Sequence, residues 1–406
     1  MATKLPGDQG AWDDKVKIEK AENKTIHNIP LTSASTISDE QYLMLRVLWK
    51  EHQFDKLDVV KFGLGEWNSQ AVEMLKTYSS WTQYCNSFSS DVENEGIFAL
   101  AQFYQKQVAL IPDDLPFRSN LIISSVAHHI RSRMRGLVSG IQKLSFETPT
   151  KPPSTPPNPP STLGRGSEEE LDDSTFEETP PGQRSYGPKE LLDLSYPRTK
   201  DEQIVNTALV DLLNAFIIPY KLPVYWTLHR KQFIATFENG HFEARTDGCL
   251  EDRRSETYAI VEVKPMLRER ESIRIQMQES AEMVAWIKSD PDPDGFLSSC
   301  GLRVLVSQDR HEIFLTFADY GFDYVKYLNN TLGPDEKPGF LTMHQFGPWD
   351  TTRGGDMKQL GSILLALALR ARANHVNNSG VQASASSSSV VSGGLEVEAV
   401  RRLSAS

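Results

Sequence analysis

Residues 147–197 set the first limit on any fold. Pro152, Pro153, Pro156, Pro157, Pro159 and Pro160 favour extended polyproline conformation, and Glu168-Glu169-Glu170 and Asp172-Asp173 then repel one another. Neither a helix interior nor a central strand tolerates such a stretch. The chain is therefore expected to divide around a linker. A plain spacer is the simpler reading of these residues, and a docking peptide is the alternative.

The 406 residues are 39% hydrophobic, enough for a sizeable core. Basic residues number 43 against 54 acidic ones, a formal net charge of -11. That excludes a globally basic coat, so any nucleic-acid contact must be local. Cys85, Cys249 and Cys300 are too few and too scattered for a disulfide framework or a zinc cluster. A reducing intracellular setting, nucleus or cytoplasm, follows as the expectation. Residues 1–20 lack the apolar segment of a secretory signal. No run reaches about 18 apolar residues; the longest, 363–369, meets Arg370 and Arg372. No membrane partner is expected.

Residues 1–38 are polar and read as a disordered arm. Residues 39–146 read as a helical module. Leu43, Val47 and Leu48 recur at helical spacing, as do Ile97, Leu100, Ala101, Tyr104 and Val108, and then Leu121, Val126, Ile130, Met134, Leu137 and Ile141. This module is a candidate surface for a protein partner. His128-His129 is a poor chelate, because adjacent helical residues point about 100° apart. The Pro-rich acidic linker, 147–197, follows. Residues 198–375 return to globular composition, and the Ser/Ala/Gly-rich tail, 376–406, reads as disordered.

The order of elements within 198–375 is legible. Apolar residues from Ile204 to Phe216 predict an amphipathic helix over 201–218, stopped by Pro219. Strands are expected at 224–228, 232–237 and 241–246, the last two joined by an Asn239-Gly240 turn. Residues 258–264 (Y-A-I-V-E-V-K) form a further strand, closed by Pro265. A helix over 272–288 and apolar runs at 302–307 and 311–317 complete a mixed α/β sheet with a crossover helix.

Polar residues inside this frame suggest chemistry. Glu262 and Lys264 lie two apart in one strand, so both share a face with Tyr258 and Ile260. Charges ending a buried strand are costly unless paired or bound to metal. Asp247 is expected to close the preceding strand, and Glu202 to border the core from the first helix. Converging carboxylates suit a hard cation such as Mg²⁺. The metal activates a water and neutralises phosphoryl charge, while a lysine positions or deprotonates that water or stabilises developing charge. The reaction deduced is metal-assisted hydrolysis of a phosphate ester. Glu22-Asn23-Lys24, Asp335-Glu336-Lys337 and Asp356-Met357-Lys358 also fit [D/E]-x-K, but none ends an apolar strand in this context.

Five phrases carry a resemblance: R-T-K-D-E-Q-I-V-N (198–206), A-R-T-D-G (244–248), A-I-V-E-V-K-P (259–265), Q-E-S-A-E-M-V-A-W-I (278–287) and F-G-P-W-D-T (346–351). Over 198–375 the chain resembles the PD-(D/E)XK nuclease superfamily, in particular a fungal group of PD-(D/E)XK nuclease-like proteins. The resemblance implies an α/β fold, a restriction-endonuclease-like mixed sheet flanked by helices. It implies a Mg²⁺ (or Mn²⁺) ion held by Asp247, Glu262 and the Val263 carbonyl, with Glu202 on a second metal or a water and Lys264 handling the attacking water. It further implies a metal-dependent nuclease cutting phosphodiester bonds, in DNA before RNA. Gln278 joins the catalytic candidates from the helix after the lysine, where Gln276 also lies. The sequence departs from the family at Thr246, where the pattern has proline. It also departs at Ser280 and Glu282, neither of which supplies the tyrosine that some branches place four residues after the glutamine.

Between His229 and Arg274 nine basic residues balance nine acidic ones. With Asp247 and Glu262 masked by metal, the surface turns mildly positive, and Arg268, Arg270 and Arg274 could grip a nucleic-acid backbone. The alternative from another class is a catalytically inactive scaffold or binding protein with the same fold.

Overall fold

Capping side chains start the first helices. The Asp8 carboxylate accepts from the Ala11 amide at 2.9 Å at the head of α1 (Gln9–Ile18). The Ser38 hydroxyl accepts from the Gln41 amide at 3.1 Å at the head of α2 (Asp39–Met44). The structure is a computed structural model and describes residues 4–89, 94–109, 200–290 and 303–375, all within one compact unit. The expected linker at 147–197, the tail at 376–406, the stripe from Leu121 to Ile141, His128-His129 and Cys300 lie outside the described residues.

Helix does not continue past α2, which corrects the reading of Leu43, Val47 and Leu48 as one helical stripe. Arg46 takes a left-handed backbone, φ 54°, and breaks the run. Its guanidinium donates from Nε to the Gly339 carbonyl at 2.9 Å and sits over the rings of Trp12 and Phe340, at 4.4 and 4.0 Å. Val-Leu-Trp, a β-branched and aromatic run, then enters strand β1 (Val47–His52). True helices follow at α3 (Gly65–Lys76), α4 (Ser79–Asn86) and α5 (Ile97–Ala109).

The second half begins with α6 (Lys200–Ile217) and a short turn through Pro219. Strands β2 (Val224–Thr227), β3 (Gln232–Phe237), β4 (Gly240–Arg245), β5 (Gly248–Asp252) and β6 (Thr257–Lys264) come next. Helix α7 (Ser272–Ser289) crosses over to β7 (Arg303–Asp309), which turns into β8 (Glu312–Asp319). Helix α8 (Phe322–Asn329), strand β9 (Leu341–Asp350) and helix α9 (354–375) complete the order. From α6 to β8 the elements sit close to the expected ones, with one omission. Strand β5 is absent from the sequence reading because Gly-Cys-Leu-Glu-Asp carries no alternation, all five residues being buried.

Seven strands form one mixed sheet in the order β1-β9-β8-β7-β6-β5-β2. The β1–β9 and β6–β7 pairs are parallel and the others antiparallel. Strands β3 and β4 make a separate hairpin with Phe237 opposite Gly240, so the expected tight turn is present but centred on Glu238-Asn239, one residue earlier than the Asn239-Gly240 signal.

Each face of the sheet carries its own core. On one face Ala259, Val261 and Val263 of β6 pack with α3 to α6 and α9. Ile260 meets the other face, where α7, α8, the β3–β4 hairpin and the N-terminal segment gather. Burial of this kind stabilises by about 25 cal/mol per Å² of apolar surface. Glu202–Tyr220 is apolar and long enough to cross a bilayer by length and composition. The core accounts for that composition, since Val205, Leu209, Leu212, Leu213 and Phe216 are buried in it.

Two expected divisions are corrected. Residues 4–38 are no disordered arm: Leu5, Trp12, Val16, Ile26 and Ile29 are buried, and Trp12 Nε1 donates to the Leu43 carbonyl at 2.9 Å. They are spaced too irregularly to register as a periodic element, yet each fills a place in the core. Nor do the described residues of 39–109 form a free-standing helical module. Strand β1 pairs with β9 throughout, from Val47–Leu341 to His52–Phe346, and α5 packs on α6, with Phe98 5.1 Å from Phe216 between ring centres.

Candidate active site

Backbone pairing puts Asp247 beside the end of β6. The Thr246 amide donates to Lys231 at 3.1 Å and the Asp247 amide to Val261 at 2.9 Å, after which Gly248 faces Val261 in the ladder. A Cβ at Gly248 would lie 2.4 Å from the Thr227 carbonyl oxygen, so glycine is what lets β2 approach. Asp247 thus leads into β5. It does not close the preceding strand as expected, because β4 ends at Arg245 and belongs to the hairpin.

The Asp247 carboxylate is nearly buried and fully engaged. Oδ2 accepts from the Val263 amide at 3.1 Å, and Oδ1 accepts from Arg230 at 2.8 Å. Asn206 of α6 donates to the Asp247 carbonyl at 2.9 Å. Glu202, one turn earlier on α6, is partly exposed and reaches the same guanidinium at 3.5 Å.

Glu262 and Lys264 lie on the α7 face of β6 and form a buried ion pair. From α7, Gln278 Nε2 donates to Glu262 Oε1 at 2.6 Å and to Glu282 Oε1 at 2.8 Å. Gln276 turns elsewhere, donating to Glu51 at 2.7 Å and Gln345 at 3.2 Å. Of the two glutamines only Gln278 belongs to the site. Arg230 and Glu282 are the members that sequence reasoning missed. The signal for Glu282 was present, since it lies four residues after Gln278 on one helical face. Arg230, in an irregular connection, offered none.

The electrostatics are tightly linked. Burial raises the Glu262 carboxyl well above its usual range, and the charges of Asp247 and Glu282 push the same way. Burial alone would lower the Lys264 ammonium, but Glu262, Asp247 and Glu282 outweigh it and raise it instead. Asp247 raises Arg230 further, and burial followed by Asp247 raises Glu202. Burial pushes Glu282 up to about 8, against the opposing pull of Lys264 and the Gln278 hydrogen bond.

A pH dependence follows for Glu282. Its unfolded value is 4.5, so between 4.5 and about 8 the folded chain keeps a proton that the unfolded chain has lost. Stability therefore falls as pH rises across that window, by at most about 1.4 kcal/mol per pH unit. Glu282→Gln is expected to gain on the wild type progressively from pH 5 to pH 8. Urea denaturation at several pH values measures the gap, and a constant gap would refute the assignment.

The three arginines expected to grip a backbone separate. Arg268 is a correction: it is buried and ion-paired with Glu279 and Asp309. It also donates to Ser307 Oγ at 3.0 Å and lies 4.3 Å from the Phe314 ring centre. A cation so enclosed has no donor to offer a ligand. Arg270 and Arg274 are exposed.

All candidate ligands are oxygen donors, the set Mg²⁺ and Mn²⁺ take. Glu262 Oε2 and Glu282 Oε2 are buried and lack hydrogen-bond partners among the described residues, a pair of acceptors that a cation would suit. Yet among those residues no three His, Cys, Asp or Glu side chains are placed to share one ion. Arg230 and the Val263 amide hold Asp247 in its present position, and Lys264 and Gln278 hold Glu262.

Comparison with family models, curated proteins and solved structures gives no match.

Proposed function

We propose that this chain is a metal-dependent nuclease of the PD-(D/E)XK type, acting on phosphodiester bonds in DNA before RNA. The observation that carries this reading is the cluster of Asp247, Glu262 and Lys264, with Glu202 and Glu282 beside it, at one end of the β5–β6 ladder. Further support comes from its setting: α6 precedes β2, β5 and β6 are antiparallel, and α7 crosses over to β7 parallel to β6. That arrangement agrees with a restriction-endonuclease-like core.

Asp247, Glu262 and the Val263 carbonyl would hold Mg²⁺ or Mn²⁺, with Glu202 outside them. The ion would supply an activated water and charge neutralisation at the phosphoryl group. The chain's own residues do the rest. Lys264 is held protonated by its acidic neighbours, so it stabilises developing negative charge instead of taking a proton from water. Gln278 fixes Glu262 and Glu282 relative to each other. Arg270 and Arg274, exposed at the start of α7 and just before it, can contact the phosphate backbone.

The test is cleavage of plasmid DNA, single-stranded DNA and RNA by the purified protein with Mg²⁺ or Mn²⁺, and with EDTA as control. Cation-dependent cleavage supports the reading. Its absence on every substrate favours the catalytically inactive scaffold.

A further inference from the structure

Arg230 lies in the connection between β2 and β3, and that connection is tethered close to the cluster. The His229 amide donates to Thr227 Oγ1 at 3.0 Å, and the Lys231 carbonyl accepts from the Thr246 amide at 3.1 Å, one residue before Asp247. The guanidinium spans Asp247 Oδ1 at 2.8 Å and Glu202 Oε1 at 3.5 Å, while 62% of its side chain remains exposed. A positive group bridging two acids from different elements does what a divalent cation does at such a place.

The charge balance points the same way. Four carboxyl groups (Glu202, Asp247, Glu262 and Glu282) stand against two cations, Arg230 and Lys264. The cluster can accept a divalent ion without losing Lys264, but Asp247 Oδ1 cannot bind an ion while it holds Arg230. The Arg230 side chain is free to leave because most of it is in solvent, whereas Lys264 is sealed under α7. Once released, its guanidinium presents a planar fork of donors that matches a phosphate group.

We infer that Arg230 is a displaceable stand-in for the cation: a divalent ion takes its place on Asp247, Glu202 is released with it, and the freed guanidinium then binds a phosphate of the nucleic acid. This rests on the nuclease reading above and adds an order of events to it. The metal is an entry ticket for the substrate as well as a reagent, since a site without it keeps its phosphate ligand folded inward.

Two measurements on the full chain test this, and they must move in opposite directions. Calorimetric titration with MnCl₂ alone is expected to show Arg230→Gln binding the ion about tenfold more tightly than wild type, while Asp247→Asn abolishes uptake. Fluorescence anisotropy with a labelled DNA duplex, with Ca²⁺ replacing Mg²⁺ to slow cleavage, is expected to show Arg230→Gln binding about tenfold more weakly. Arg230→Lys, which keeps the charge and loses the fork, should fall between the two in both assays, and thermal melts establish that each variant is folded. If Arg230→Gln leaves Mn²⁺ affinity unchanged while Asp247→Asn still abolishes it, the stand-in is overturned and the nuclease reading survives. Tighter Mn²⁺ binding with unaltered DNA affinity also overturns the inference, by removing the second role. Mn²⁺ uptake that ignores Asp247 overturns both.

Discussion

Lys264→Ala is expected to lower cation-dependent cleavage by about 10²- to 10⁴-fold, the range for losing one positioned group that stabilises transition-state charge. Asp247→Ala should cost at least as much, because it removes the ligand proposed for the metal and the acceptor for the Val263 amide together. The two variants differ in their secondary effects. Lys264→Ala leaves Glu262 buried without its cation, so its carboxyl should hold a proton more firmly still, and Mn²⁺ affinity should fall with decreasing pH more steeply than in wild type. Asp247→Asn keeps an oxygen for the Val263 amide, and separates the loss of the ligand from the loss of the hydrogen bond. Initial rates on plasmid DNA at saturating Mg²⁺ measure the first effect. Cleavage that persists in both alanine variants at wild-type rate would remove the nuclease assignment.

Arg268→Ala is expected to destabilise the fold by about 3–5 kcal/mol, the usual cost of breaking a buried ion pair from one side. Glu279 and Asp309 would both stay buried without their counter-charge, and the Phe314 ring would lose the guanidinium stacked on it. Urea denaturation reads the loss directly. A second variant separates charge from packing: Arg268→Met combined with Glu279→Gln and Asp309→Asn removes every charge at once and should recover much of the deficit. If Arg268→Ala instead kept its stability and lost DNA affinity, the buried network would be the wrong account of this residue, and the expectation of a backbone contact would be restored.

The difference between Arg268 and Arg270 shows where sequence reasoning stops. Both follow the same strand within six residues, and nothing in R-E-R marks one as interior. What decides is Asp309 and Glu279, which come from β7 and α7 and meet Arg268 only after the chain has folded. Glu262 was legible because its signal is local: it stands in a strand whose composition announces it. Strand β5 was hidden by burial on both faces, which erases alternation. The N-terminal segment was hidden for the opposite cause. Its apolar residues are spaced without period, and only the shape of the core they enter gives them a role. Arg230 combines both difficulties, since an exposed arginine in a connection between strands has no pattern of its own.

The parallel pairing of β1 with β9 has a consequence for how this chain comes into being. Arg46 and the Gly339 carbonyl it binds are 293 positions apart. During synthesis the apolar run Val47-Leu48-Trp49 emerges long before its partner exists. That edge stays unsatisfied for most of translation, at the 5–20 residues per second typical of ribosomes. Closing the sheet is a late and intrinsically slow event, as it is for any architecture dominated by distant pairings. Until then the nascent polypeptide presents a sticky rim, and a chaperone holding residues 47–49 would shield it during that interval.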